Sequence, residues 1–172
     1  MSLNKVAILG GNRIPFARSN GVYADANNID MLTAALDGLV ARFDLADKQI
    51  GEVVAGTVLK HSRDLNLTRE AVLNTQLPAT TPAYDISQAC GTGLQAAFAV
   101  ANKIALGLID NGIAGGTDTT SDAPIALGDG LRKPLLRLGN AKTAKQKLSA
   151  LSTINPKDLL AFPQNGEPRT PL

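Results

Sequence analysis

The 172-residue chain is 44% hydrophobic and 19% charged, which is the composition of a soluble globular protein with enough apolar material for one core. Its net charge is only +2 and aromatic residues make up 3% of it, so nucleic acid is excluded as a partner because no aromatic side chain lies among the lysines to stack on bases. A single cysteine excludes an internal disulfide, and no apolar run approaches the roughly 18 residues of a transmembrane segment. We expect a cytoplasmic protein with one free thiol.

Short apolar segments alternate with helical patterns along the first two thirds of the chain. The predicted elements are a strand at 5–9, a helix at 30–43, a strand at 52–56, a helix at 67–75, a strand at 83–86, a helix at 91–107 and a strand at 111–114. This βαβαβαβ order is typical of an α/β protein whose parallel strands are joined by right-handed crossovers.

The helix predicted at 91–107 differs from the others in composition. Lys103 is its only charged residue, and alanines occur on every side of it. Because a helix that is apolar all round is buried all round, we predict a central helix between two layers of the fold.

The regular alternation ends after Ser121, where glycines and prolines become frequent. One more helix is predicted near 143–151. We therefore predict a core domain over residues 1–121 and the start of a loop or insertion region, itself incomplete, over residues 122–172. Eight of the seventeen Lys and Arg residues but only two of the fifteen acidic residues lie in 131–172, which favours either an anionic partner or a solvated helix face.

Cys90 is the strongest catalytic candidate in the sequence. It follows the strand predicted at 83–86 and directly precedes the central helix, so its sulfur would meet the unpaired N–H groups at the helix N-terminus, which favour a thiolate. Gly91 and Gly93 leave open backbone around it. A lone cysteine is more commonly a small buried hydrophobe, but the position between strand and helix favours a nucleophile.

Other motifs give weaker signals. The glycine pair at 10–11 lacks the third glycine of a dinucleotide-binding loop, and the pair at 115–116 suits a tight strand exit as well as a phosphate turn. His61 lies in a polar stretch and is predicted to be a loop histidine. Asp118 and Asp122 flank a hydroxyl-rich segment, but no second pair of closely spaced carboxylates in the sequence suggests metal binding, so no metal site is predicted.

Five motifs occur in a fixed order. They are Arg13-Ile-Pro-Phe16, Gly56-Thr-Val-Leu59, Arg69, Cys90-Gly-Thr-Gly-Leu-Gln-Ala96, and Ala114-Gly-Gly-Thr-Asp118 continuing to Pro124. Together they resemble the thiolase family, whose members make or cleave 3-ketoacyl-CoA. At the corresponding places the family carries Arg-Thr-Pro-Phe, Gly-x-Val-Leu, an arginine that opens the next helix, Cys-Gly-Ser-Gly-Leu-Gln-Ala and Ala-Gly-Gly-x-Glu. The sequence departs from this pattern at several positions: Ile14 replaces a threonine, Thr92 a serine, Asp118 a glutamate, Thr119-Thr120 the usual pair and Ser87 a common asparagine.

The resemblance implies the N-terminal half of a layered α-β-α-β-α fold built from two similar halves. It also implies acyl transfer, in which Cys90 attacks the 3-keto carbonyl, forms an acyl-cysteine and releases acetyl-CoA before CoA accepts the acyl group. CoA is then a co-substrate and no cofactor is expected. The implied setting is fatty-acid β-oxidation or acetoacetyl-CoA metabolism, in a homodimer, a tetramer or a multifunctional β-oxidation complex. By resemblance, most substrate-binding residues lie beyond Leu172.

In the family, a histidine in Gly-His-Pro activates the cysteine and a second cysteine in Cys-x-Gly-Gly protonates the leaving enolate. Neither motif occurs in these 172 residues, so the resemblance implies an incomplete chain that is inactive alone. Two alternatives remain open. One is a condensing enzyme of the β-ketoacyl synthase type, which has the same cysteine position but usually Cys-Ser-Ser. The other is a non-catalytic truncated paralogue that dimerises through the third predicted strand.

Overall fold

The computed structural model of the protein describes residues 3–124 and 127–159. The chain forms two compact units, residues 1–124 and residues 125–172, which are described separately below. The first contains a sheet covered by helices on both faces, and the second contains helices alone in its described part.

The sheet has three parallel strands, β1 (Val53–Ala55), β2 (Ala83–Asp85) and β3 (Ile113–Ala114), in the order β2-β1-β3. Val53 lies opposite Ala83 on one side and Ile113 on the other. All three residues of β1 are buried, as expected for a central parallel strand with both faces covered. The predicted α/β class with a parallel sheet is therefore confirmed.

The helices of the first unit are α1 (Asn28–Phe43), α2 (Leu67–Leu73) and α3 (Thr92–Ala105). The alternation of side chains along β1 divides them between the two faces of the sheet. Val53 and Ala55 pack into the larger core with α1 and α2, and Val54 packs with α3. The larger core contains, besides the strand residues, Leu32, Leu36, Val40, Ile50, Leu67, Ala71, Val72 and Leu77.

The strand predicted at residues 5–9 is wrong, because this segment is not paired with any strand in the described part of the chain. Its apolar side chains are exposed, with Ile8 at 93% and Leu9 at 88% relative exposure. The backbone N–H of Asn4 donates instead to the carbonyl of Ala105, 2.9 Å away. An alternating or apolar pattern predicts which faces a strand would bury but supplies no partner for its backbone.

The prediction that the third helix is buried on all sides is also wrong for this chain. Only Thr92, Ala96 and Val100 of α3 are buried, on the side that faces the sheet. Leu94 and Phe98 are 64% and 51% exposed. The helix is apolar on both sides, as the sequence indicated, but the described residues cover only one of them.

The second unit contains α4 (Asp129–Asn140), α5 (Ala144–Leu151) and α6 (Pro156–Leu159). The helix predicted near 143–151 is confirmed as α5, whose start carries a capping box between Thr143 and Gln146. The sequence did not predict α4, because Pro134 and the glycines around it indicate interruption. None of the helices within the described ranges has the length and apolar composition to cross a bilayer.

Candidate active site

The three strands of the sheet end at one edge, and the loops that follow them are hydrogen-bonded to one another. The N–H of Ile86, just after β2, donates to the carbonyl of Ala55 in β1 at 2.9 Å, and the N–H of Thr117, after β3, donates to that of Gly56 at 3.0 Å. In open α/β sheets, ligands bind outside the carboxyl ends of the parallel strands. Cys90 lies in the loop after β2, at this edge.

Cys90 is an exposed free thiol that directly precedes Gly91, the N-cap residue of α3. The helix has no side-chain cap, and within the described residues no acceptor is present for the backbone N–H groups of Gly93 and Leu94 in its first turn. Such unpaired groups carry the partial positive charge of a helix N-terminus, which stabilises negative charge beside it. A Cβ added at Gly93 would have no neighbour within 4 Å, so there is open space beside the first turn of α3.

The turn before Cys90 is held by the side chain of Thr92. Its hydroxyl accepts a hydrogen bond from the N–H of Gln88 at 2.8 Å and donates one to the carbonyl of Ala89 at 2.7 Å. Ala89 has a φ of +43°, a left-handed conformation that is sterically unfavourable for a residue with a Cβ. The residue directly preceding the cysteine is therefore strained, and its carbonyl is fixed by the helix that follows.

The loop after β1 lies directly against this turn at Gly56. A Cβ at Gly56 would lie 2.7 Å from Cγ2 of Thr92 and closer still to the carbonyl oxygen of Ile86. Only glycine allows this approach, which explains physically the glycine of the Gly-x-Val-Leu motif.

Asp118 fastens the same loop from the β3 side. Its carboxylate accepts hydrogen bonds from the Thr57 hydroxyl at 3.0 Å and from the backbone N–H groups of Val58 and Leu59 at 2.8 and 2.9 Å. The sequence identified Asp118 as a motif position and predicted no metal site there, but it did not predict this role in holding the loop after β1. The sequence feature that could have indicated this role is the position of Asp118 after a predicted parallel strand, because the loop after β1 must lie at the same edge of the sheet.

Asp85, at the end of β2, was likewise not identified from the sequence. Its carboxylate accepts hydrogen bonds from the N–H groups of Leu67 and Thr68 at 2.9 and 2.7 Å, at the start of α2, and pairs with the Lys60 ammonium. Burial raises the pKa of Asp85, but the hydrogen bonds from Lys60 and from Thr68 and Leu67 outweigh it, so the pKa lies below its usual value. This carboxylate ties α2 and the loop at 60 to the strand that leads to Cys90.

His61 is a loop histidine, as predicted. Its Nε2 lies 2.8 Å from the backbone oxygen and 3.3 Å from Oδ1 of Asp122, whose carboxylate also pairs with Arg63. No contact joins His61 to Cys90 among the described residues, so this histidine is held by the loop after β3 and not by the cysteine.

Residues 6–157 match the family model described as "Thiolase, N-terminal domain". The chain belongs to the thiolase family. The resemblance found in the sequence motifs is thus confirmed over most of the chain, and the glycine, cysteine and aspartate motifs of the thiolase pattern coincide with the three loops at the carboxyl edge of the sheet.

Similar curated proteins carry the name 3-ketoacyl-CoA thiolase. The one from Vibrio cholerae is 40% identical over 159 residues, covering 92% of this chain and 37% of the relative. The one from Photorhabdus laumondii is 38% identical over 157 residues, covering 91% and 36%. The chain therefore spans little more than a third of the length of the thiolases that it matches.

The fold is similar to that of a solved acetyl-CoA acetyltransferase from Bacillus anthracis. The TM-score is 0.70 at 27% sequence identity, and the alignment covers 74% of this chain and 32% of the other. The likeness supports the N-terminal part of the layered thiolase fold.

Proposed function

We propose that Cys90 is the acyl-accepting nucleophile of a thiolase-type acyltransferase to which this chain contributes its N-terminal part. The single observation that carries the proposal is the position of the thiol: it is exposed at the uncapped N-terminus of α3, with open space at Gly93. Family membership and the names of the relatives support 3-ketoacyl-CoA as the substrate class.

In the proposed reaction, the thiolate of Cys90 attacks the 3-keto carbon and its sulfur–carbon bond forms while the carbonyl oxygen becomes an oxyanion. Collapse of that intermediate breaks the bond between C2 and C3 of the substrate. The enolate of acetyl-CoA leaves and takes up a proton. The thiolate of a second CoA then attacks the acyl-cysteine, and the shortened acyl-CoA leaves with the sulfur of Cys90 returned to a thiolate. Helix N-terminal N–H groups favour the negative charge in each step.

The proton transfers need groups that these 172 residues do not supply. Cys90 is the single cysteine of the sequence, and the single histidine, His61, is engaged by Asp122. Nucleophile and acid–base groups act as a unit, so the 172-residue chain alone is proposed to have very little turnover. CoA is proposed as co-substrate, with no further cofactor.

The cellular setting and the assembly are part of the same proposal. We propose fatty-acid or acetoacetyl-CoA metabolism in the cytoplasm, and a homodimer, a tetramer or a multifunctional β-oxidation complex as the assembly. Strand β2 is paired on one side only among the described residues, and an edge strand with free backbone groups can pair with a second copy.

The test is a thiolysis assay with acetoacetyl-CoA and a longer 3-ketoacyl-CoA, each with free CoA. Three proteins are compared: the 172-residue chain, a chimera that joins it to the part of the Vibrio cholerae relative beyond the matched segment, and the chimera with Cys90→Ala. The expected result is turnover by the chimera alone. Full activity of the Cys90→Ala chimera would overturn the nucleophile assignment. A folded chimera without turnover would instead favour a non-catalytic paralogue.

A further inference from the structure

We propose that Thr92 is a positioning residue for Cys90, acting through the turn at residues 88–90; this inference rests on the proposed function. Thr92 has no role in the nucleophilic step itself. The structure assigns its hydroxyl the task of holding the strained residue that precedes the nucleophile.

Both hydrogen-bonding functions of the Thr92 hydroxyl are used within the turn. Its oxygen accepts from Gln88 N–H at 2.8 Å, and its proton goes to the carbonyl of Ala89 at 2.7 Å. The backbone N–H of Thr92 donates to the same carbonyl at 3.1 Å. Thr92 is only 5% exposed, so neither bond is readily replaced by water.

Ala89 adopts a conformation that needs support from the residues around it. A left-handed residue with a Cβ persists only where its surroundings determine it, and such residues are concentrated at functional sites. Here the carbonyl of Ala89 is fixed by two donors from the same residue, Thr92. Fixing the peptide unit between Ala89 and Cys90 fixes the start of the Cys90 backbone, and with it the direction of the thiol relative to α3.

The methyl group of Thr92 has a function separate from that of the hydroxyl. Its Cγ2 lies against Gly56, where even one added carbon would be too close. The hydroxyl therefore faces the nucleophile turn, and the methyl group faces the loop after β1. Two isosteric or conservative substitutions separate these functions: Thr92→Val removes the hydroxyl and keeps the shape, whereas Thr92→Ser keeps the hydroxyl and removes the methyl group.

The experiment measures the rate of Cys90 alkylation by iodoacetamide in the 172-residue chain and in the two variants, folded and in urea, with folding checked by circular dichroism. We expect folded wild type to react faster than the urea-denatured chain. Thr92→Val should lower the folded rate by about three- to five-fold, the upper part of a helix N-terminal effect on an exposed negative charge, and Thr92→Ser should stay within about two-fold of wild type.

The outcomes separate the inference from the proposed function. Folded wild type that reacts no faster than the denatured chain would count against an activated Cys90, and so against the proposed function. A fast wild type with an equally fast Thr92→Val variant would overturn the positioning role alone, as would a Thr92→Ser variant as slow as Thr92→Val.

A Thr92→Val protein that does not fold is replaced by the double variant Ala89→Gly/Thr92→Val. Glycine adopts the positive φ without steric cost, so residue 89 of the double variant no longer needs the Thr92 hydroxyl to stabilise a strained conformation. Its folded alkylation rate should be as slow as expected for Thr92→Val. A rate equal to wild type would show that the hydroxyl is not needed to orient the thiol. The matched control is Ala89→Gly alone, which keeps the hydroxyl and should stay near wild type.

Discussion

Replacing Gly56 by alanine tests whether the loop after β1 must lie in direct contact with the Cys90 turn. The added Cβ would lie 2.7 Å from Cγ2 of Thr92 and nearer to the carbonyl oxygen of Ile86. Carbon atoms in contact normally lie about 3.5 to 4.0 Å apart, so either the loop or the turn must move by roughly 1 Å. One of the two neighbours is backbone, which has no rotamer with which to escape.

The magnitude follows from two opposing terms. Forcing an extra carbon into a well-packed site costs about 1–3 kcal/mol, whereas alanine restricts the unfolded chain and returns about 0.4–1 kcal/mol. The free energy of unfolding should therefore fall by up to about 2.6 kcal/mol, which corresponds to a midpoint temperature lower by up to roughly 7 °C for a chain of this size. Because the clash is with the turn that carries Cys90, alkylation of that residue should slow as well.

Gly115 provides the matched control on the same edge of the sheet. A Cβ there would have no heavy atom within 4 Å, so Gly115→Ala should leave stability unchanged or raise it by up to about 1 kcal/mol. The assay is thermal unfolding followed by circular dichroism, with iodoacetamide alkylation on the same samples. A Gly56→Ala protein as stable and as reactive as Gly115→Ala would refute the close approach.

Three further predictions concern the elements around the site. Asp85→Asn should lower the free energy of unfolding by about 1–3 kcal/mol at pH 7, where the wild-type carboxylate is ionised. Because the pKa of Asp85 is depressed in the folded state, this difference, measured by urea unfolding, should shrink as the pH falls below about 4. A difference that does not change with pH would contradict the ion pair with Lys60. Ala96→Glu should lower the free energy of unfolding by more than about 3 kcal/mol because it buries a charge, whereas Ala97→Glu, at a half-buried position, should lower it far less. Equal losses of stability for the two variants in thermal unfolding would disprove the one-sided burial of α3. Ala89→Val should cost more than about 1 kcal/mol in urea unfolding because a β-branched residue tolerates positive φ poorly, and a neutral result would argue against the strained turn.

The sequence predicted most of the first unit because its helices and central strands follow local patterns. The helix predicted at 30–43 is Asn28–Phe43, started by a capping box that Asn27 and Asp30 form. The strands predicted at 52–56 and 83–86 are Val53–Ala55 and Ala83–Asp85. Apolar runs bounded by turn residues are sufficient for such elements, and the differences lie at their ends.

The errors arose where structure depends on partners that a local pattern does not contain. The segment at 5–9 has the composition of a strand, but a strand exists only through pairing, and none is present in the described part of the chain. The small and apolar residues on every side of α3 predict burial all round, whereas Leu94 and Phe98 are exposed in this chain. Apolar composition indicates that burial of a helix surface is favourable, but it does not indicate whether another element covers that surface.

The position of Cys90 between a strand and a helix was accessible from the sequence, but the groups that support it were not. In the motif, Thr92 is a conservative replacement of a serine, and only the structure shows that its hydroxyl makes two hydrogen bonds across the turn. Asp118 and the loop that it fastens are about sixty residues apart, a separation that no local pattern bridges. Long-range polar contacts of this kind follow from strand order, which the sequence leaves open.

The most direct test of the account is to identify the residue that carries the acyl group. The chimera is mixed with acetoacetyl-CoA in the absence of added CoA, quenched in acid, digested and analysed by mass spectrometry. We predict one acetyl group on the peptide that contains Cys90, lost when free CoA is added before the quench, and none in the Cys90→Ala chimera. Turnover without an acyl group on Cys90, or with the acyl group on another residue, would contradict the assignment.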